Sequence, residues 1–171
     1  MLNPFKRTYN ESELKIFNFL SQVLFFERLR NSELERFLPA IHYRKYLKDE
    51  VVFFSNDPSQ AIYIVRSGTI NLAIDIKENF ETVLIIGEGE CFGENALLEN
   101  TKRVYTAIVS SEEADLMVIP NYAIQEVFDT NAVIQAKMLT SLSEYYNNNN
   151  HRLFKSYQSS FGFFTLGQMF K

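Results

Sequence analysis

The residues with most to offer chemically stand close together in FGENALLENTKRVYTA, residues 92–107. Gly93 has no Cβ and lets the backbone approach a ligand closely. Residues 95–98 suit one helical turn, whose first amides are free to face an anion. Glu94 offers an acceptor for sugar hydroxyls, and Arg103 a planar fork of donors for a phosphate. A glycine, an acid, a helix start and an arginine make a site for a small phosphorylated sugar. The blander reading is a Gly-Glu turn followed by a solvated arginine.

The flanking pattern supplies the elements that would hold such a loop. From about residue 42 to residue 119, short apolar runs alternate with turn residues, the rhythm of an all-β sandwich or barrel. Ile70, Leu72, Ile74 and Ile76 alternate with Asn71, Ala73 and Asp75, as in a strand with one buried face. Runs at 51–54, 62–65, 83–86, 105–109 and 116–119 read likewise, with Gly68 and residues 77–80 as hairpin turns. That is roughly seven or eight strands, enough to close a small roll.

Helices are expected on either side. Asn10 with Glu13, and Ser32 with Glu35, have capping-box spacing. They predict one helix with Leu14, Phe17, Leu20 and Val23 on a face, and another with Leu34, Phe37 and Leu38. Pro120 can open a helix over 122–128. After a break at 129–131 comes a longer one with Ile134, Met138, Leu142, Tyr145, Asn149 and Leu153 in a stripe. The stripe suits packing on the roll or, as a homodimer contact through residues 131–155, against a second copy. The expected division is therefore helices at 1–40, a β-roll at 41–120 with its binding loop at 92–107, helices at 121–158, and a tail at 159–171 with no readable role. The fold class is mainly β with flanking helices: a double-stranded β-helix, or jelly-roll-like β-roll, with N-terminal helices and a long C-terminal helix.

Composition narrows the function. The chain has 171 residues, 46% of them apolar, which suits one globular domain. A net charge of −4 gives no general attraction to a polyanion, so direct nucleic-acid binding is not expected. No run approaches the roughly 18 apolar residues of a membrane helix, and residues 16–26 are too polar for a signal peptide. One cysteine, Cys91, forms no intrachain disulfide and fits a reducing cytoplasm. With His42 and His151 the only histidines, a metal centre or an acid-base catalytic pair has little to draw on, so neither metal nor cofactor nor enzyme activity is expected. Cys91 has no base nearby in sequence and reads as a small core residue.

Residues 92–107 resemble the phosphate-binding cassette of the cyclic-nucleotide-binding domains shared by the catabolite activator protein family and protein kinase A regulatory subunits. The similarity extends over about residues 22–155, taking in 24–38, 48–52, 62–68 and 87–94. Lys48-Asp49-Glu50 and Asn56-Asp57 depart where the family usually has a turn glycine. The resemblance implies that Glu94 binds a ribose hydroxyl and Arg103 the cyclic phosphate of cyclic AMP (cAMP) or cyclic GMP (cGMP). The amides of Asn95 and Ala96 would assist. The implied ligand-binding set is Phe92, Gly93, Glu94, Asn95, Ala96, Arg103, Val104 and Tyr105. Asn148 and Asn149 lie where the family covers the purine base, although four consecutive asparagines equally mark fraying.

The departure closest to the ligand is Arg103-Val104-Tyr105, where the family has small residues after the arginine. By strand alternation Tyr105 shares Arg103's face and leans toward the phosphate end, blocking the site or walling it. Two functions follow. One is a cyclic-nucleotide sensor that signals through its C-terminal helices to a protein partner. The other is a non-binding relative serving as scaffold or dimerisation module. With only 16 residues after Lys155, a following helix-turn-helix domain is not expected, and the domain reads as stand-alone.

Overall fold

A computed structural model describes residues 8–76 and 79–160. Eight strands form two four-stranded antiparallel sheets that face each other as a β-roll. They are β1 (His42–Leu47), β2 (Val51–Phe53), β3 (Ala61–Ser67), β4 (Ile70–Ile76), β5 (Asn79–Ile86), β6 (Cys91–Phe92), β7 (Thr106–Val109) and β8 (Glu113–Pro120). One sheet runs β1-β8-β3-β6 and the other β2-β7-β4-β5.

The period-two patterns of β3 and β8 explain how the first sheet serves two cores. Val65 and Leu116 point into the roll with Phe53, Ile70, Leu72, Ile86, Phe92 and Val109. Ile62, Ile64, Met117 and Ile119 point the other way, into a second core shared with the helices. Both faces of β3 and β8 are therefore buried.

The helices are α1 (Glu11–Leu20), α2 (Asn31–Leu34), a 3₁₀ helix at Glu35–Ala40, α3 (Asn121–Thr130) and α4 (Ala132–Ser160). The Asn10–Glu13 capping box opens α1, with reciprocal bonds of 2.8 and 2.9 Å. The expected box at Ser32 and Glu35 does not form. The helix starts earlier, at Asn31, and Glu33 accepts the Arg30 amide at 2.8 Å. Glu33 prevails because its carboxylate also meets Lys137 of α4 at 2.6 Å, a tertiary partner that a local pattern cannot reveal. Leu14, expected on the buried face of α1, is exposed, whereas Phe17, Leu20 and Val23 are buried.

The burial expected along β4 also fails. A register shift against β5 falls between Leu72 and Ala73. The extra residue lies in β5, at Val83, and leaves the alternation of β4 itself intact; Ala73 is nevertheless buried, while Ile74 and Ile76 are exposed in the last part of the strand. Residues 77 and 78, part of the expected hairpin turn, lie outside the described residues, as do residues 161–171 of the expected tail.

The stripe of α4 packs at home. Ile134, Met138 and Leu142 are buried in the helical core with Phe17, Phe26, Phe37 and Phe128, and Tyr145 packs against it. Those first three side chains pack within the chain, while Val133 and Phe154 of the same helix are exposed. Leu153, at the stripe's far end, is exposed. No helix among the described residues is long and apolar enough to cross a membrane.

Candidate functional site

Gly93 joins β6 to a 3₁₀ turn at Glu94–Leu97 and adopts φ +75°, ψ 28°. A left-handed backbone favours glycine, and here space demands it too. A Cβ on Gly93 would lie 2.5 Å from Arg103 Nη1 and 3.1 Å from the Ala61 carbonyl oxygen. Loop and arginine are thus in direct contact.

Arg103 is 3% exposed. Its Nη1 donates to the Gly93 carbonyl at 2.9 Å and its Nη2 to the Ala61 carbonyl at 2.7 Å. The guanidinium lies 4.1 Å from the Phe53 ring centre and 5.6 Å from that of Tyr63. Nε has no partner. Burial lowers the pKa of Arg103, and the electronegative oxygens of Tyr63, Tyr105 and Glu94 oppose that shift. An arginine remains charged regardless. Its planar fork, aimed at two backbone carbonyls, braces β3 against the loop.

Tyr105 decides the character of the site. Its hydroxyl accepts the Gly93 amide at 2.8 Å and donates to Glu94 Oε2 at 2.9 Å. Residues 104 and 105 form a bend before β7, so strand alternation does not apply there. The side chain nevertheless points inward as expected. Its ring packs 5.7 Å from Phe53 in an aromatic cluster with Tyr63 and Phe92, which stack at 5.1 Å. Burial pushes the Tyr105 phenol well above its usual pKa, and the Glu94 charge pushes it further. It is a neutral hydrogen-bond donor over the whole physiological range.

The other expected residues divide. Phe92 and Ala96 are buried. The Ala96 amide, expected to be free for a phosphate, donates to the Gly93 carbonyl at 3.1 Å because the turn closes on itself. Asn95 turns its Nδ2 toward the Tyr146 hydroxyl at 3.3 Å. Val104 is 63% exposed, so its side chain faces solvent and not the site. Asn149 borders a cleft of about 770 Å³ between β5 and α4, with Val83, Leu84, Cys91, Tyr145 and Arg152. Asn148 is exposed and does not line that cleft.

Sequence reasoning missed Phe53, Ala61, Tyr63 and Tyr146. Phe53 and Tyr63 looked like ordinary strand residues. Ala61 acts through its carbonyl, which no side chain advertises. The Glu94 charge reaches beyond the loop: it helps burial raise the Tyr146 pKa, and after burial it is the main force holding the Cys91 thiol up at about 12.

Comparison with known proteins agrees with this geometry. The family described as "Cyclic nucleotide-binding domain" matches residues 43–131. A cGMP-dependent protein kinase of Toxoplasma gondii is 30% identical over 98 residues, covering 57% of this chain and 10% of the kinase. The cyclic AMP receptor protein of Thermus thermophilus is 30% identical over 95 residues, 55% of this chain and 44% of the receptor. The chain thus spans less than half the length of either relative. Among solved structures, the regulatory domain of Toxoplasma gondii PKA with cAMP superposes with a TM-score of 0.63 at 25% identity, covering 71% of this chain and 46% of that one. The matched segment contains the whole loop from Gly93 to Tyr105 and the strands that brace it, and the chain belongs to the cyclic nucleotide-binding domain family.

Proposed function

We propose that this chain is a regulatory, non-catalytic domain of its family whose cassette is occupied from within by Tyr105. It has no free site for cAMP or cGMP and works in the cytoplasm through contacts with a protein partner. The supporting observation is the pair of hydrogen bonds from Tyr105 to the Gly93 amide and Glu94. That amide belongs to the loop, and that carboxylate is the acceptor, which the family resemblance assigns to a cyclic nucleotide. Arg103 adds to the reading, because its donors are engaged by the Gly93 and Ala61 carbonyls.

A second reading, a conditional sensor, draws on the cleft of about 770 Å³ beside the cassette. There the ligand displaces the Tyr105 hydroxyl and turns Arg103 off its carbonyls, and part of the binding energy goes to those four hydrogen bonds.

Calorimetric titration of cAMP and cGMP into the parent, Tyr105→Ala and Arg103→Ala separates the two. The expected results are no binding by the parent tighter than about 1 mM, and a gain to the micromolar range in Tyr105→Ala. Micromolar binding by the parent that Arg103→Ala abolishes overturns internal occupancy and establishes the sensor.

A further inference from the structure

The cleft of about 770 Å³ between β5 and α4 is in the size range of pockets that enclose a whole small ligand. Its apolar walls are largely uncovered: Leu24, Val83, Leu84 and Leu153 all line it and are all exposed. The bulge in β5 builds one of these walls. Leu72 pairs with Leu84 and Ala73 with Thr82, so Val83 is the extra residue. A bulge re-aims side chains, and here Val83 and Leu84, adjacent in sequence, both line the cleft. Exposed apolar surface gathered in a concave site calls for an occupant.

The chain itself carries a segment of matching chemistry. Residues 161–171, FGFFTLGQMFK, follow α4 directly and lie outside the described residues. Six of these eleven are Phe, Leu or Met, none is acidic, and Lys171 is the one charge. A base suits a rim that holds Glu27 and Glu90 beside Arg152. The reach is sufficient as well. Leu153 stands at the cleft and α4 runs on to Ser160, which is about 10 Å farther at roughly 1.5 Å per residue. Two residues past that end comes Gly162, the residue type at which helices commonly reverse. About three extended residues span about 10 Å on the way back.

We propose that residues 161–171 turn back at Gly162 and fill this cleft, with Leu166, Met169 and Phe170 against Leu84 and Leu153. The cleft is then occupied by the chain's own segment, and any ligand that enters it, a nucleobase included, competes with that segment. This goes beyond the occupancy of the cassette and uses none of the Tyr105 bonds, so the two readings stand or fall separately.

The chain has no tryptophan, which makes a single indole a clean probe. Phe170→Trp and, separately, Leu166→Trp are placed in the full chain, and their emission and acrylamide quenching are measured without nucleotide. Both are expected to emit blue of their urea-unfolded forms and to be shielded from acrylamide, equally at about 1 and 100 µM chain. Adding Leu84→Glu or Leu153→Glu, on opposite walls of the cleft, is expected to lower the ratio of docked to free segment by roughly tenfold or more, because an unpaired charge resists burial. Emission then moves red and quenching rises. Tyr122→Glu, at an exposed site on α3 that does not line the cleft, is expected to change neither. An unchanged far-ultraviolet spectrum shows that each variant is folded. The proposal is overturned if both indoles emit as in the unfolded chain. It is equally overturned if they are shielded but indifferent to Leu84→Glu and Leu153→Glu, which places the segment elsewhere, or if shielding appears only at high concentration, which makes a second copy the partner.

Discussion

Gly93 and Arg103 fit each other by shape as well as by charge. The glycine's φ of +75° and the 2.5 Å separation between a Cβ at that position and Arg103 Nη1 make two independent demands for a residue without a side chain. Gly93→Ala should therefore lower the free energy of unfolding by about 2–3 kcal/mol, the sum of left-handed strain and displacement of a buried guanidinium. Urea unfolding without nucleotide measures it. A loss near zero would mean that the loop is held by Tyr105 alone. At this scale the sequence was readable where residue type carries chemistry, at Gly93, Glu94 and Arg103. It was unreadable where the partner is a backbone carbonyl, as at Ala61, or a ring contributed by another strand, as at Phe53. Tyr105 lies between these cases. Its size and place announced an obstruction, but its two hydrogen bonds depend on the bend at 104–105.

Between elements, turns and caps follow local rules until a distant partner intervenes. Asp49 and Asn56 lie in the two turn segments, 48–50 and 56–57, that lack the glycine expected from the resemblance, and their φ values of 65° and 70° are left-handed angles that favour glycine. Asn and Asp tolerate that region better than other side chains, so the departures preserve the turns. By contrast the second helix starts at Asn31 because Glu33 is bonded by both Arg30 and Lys137. Burial alone would raise the Glu33 pKa, but the Arg30 amide and the Lys137 ammonium outweigh it and hold the group below its ordinary value of 4.5. A carboxylate with a depressed folded pKa contributes stability that is complete above the unfolded pKa and lost as pH falls through the folded one. Below about pH 4.5, Glu33→Gln should flatten part of the parent's loss of stability, while at pH 7 it should be less stable by about 2–3 kcal/mol because Lys137 loses its counter-charge. Urea midpoints measured from pH 3 to pH 7 check both halves, and parallel curves for parent and variant would remove Glu33 from the acid response. The bulge opposite β4 belongs to this scale too. Period two in the sequence runs on through Ile74 and Ile76, yet both are exposed, and the step in the pairing falls at Val83 of β5.

For the whole molecule, the fold class was legible because two periodicities, near two in the middle and near 3.6 at the ends, divide the chain cleanly. What the apolar stripe of α4 packs against was not legible, because a helix face looks the same whether its own roll or another copy covers it. Ile134, Met138 and Leu142 are in the helical core with α1, the 3₁₀ helix and α3, so the stripe holds α4 to its own domain. This has a thermodynamic signature. If a contact lies within one chain, removing it lowers stability equally at every protein concentration, whereas a dimer contact makes the unfolding midpoint rise with concentration. Met138→Ala should lower the free energy of unfolding by about 3 kcal/mol, as a buried truncation does. The urea midpoints of both parent and variant should stay the same between about 1 and 100 µM chain. A midpoint that climbs with concentration in the parent and not in the variant would return Met138 to an interface between copies. A flat pair of midpoints keeps the helix on its own domain, where Tyr146 accepts Asn95 Nδ2 of the cassette turn at 3.3 Å.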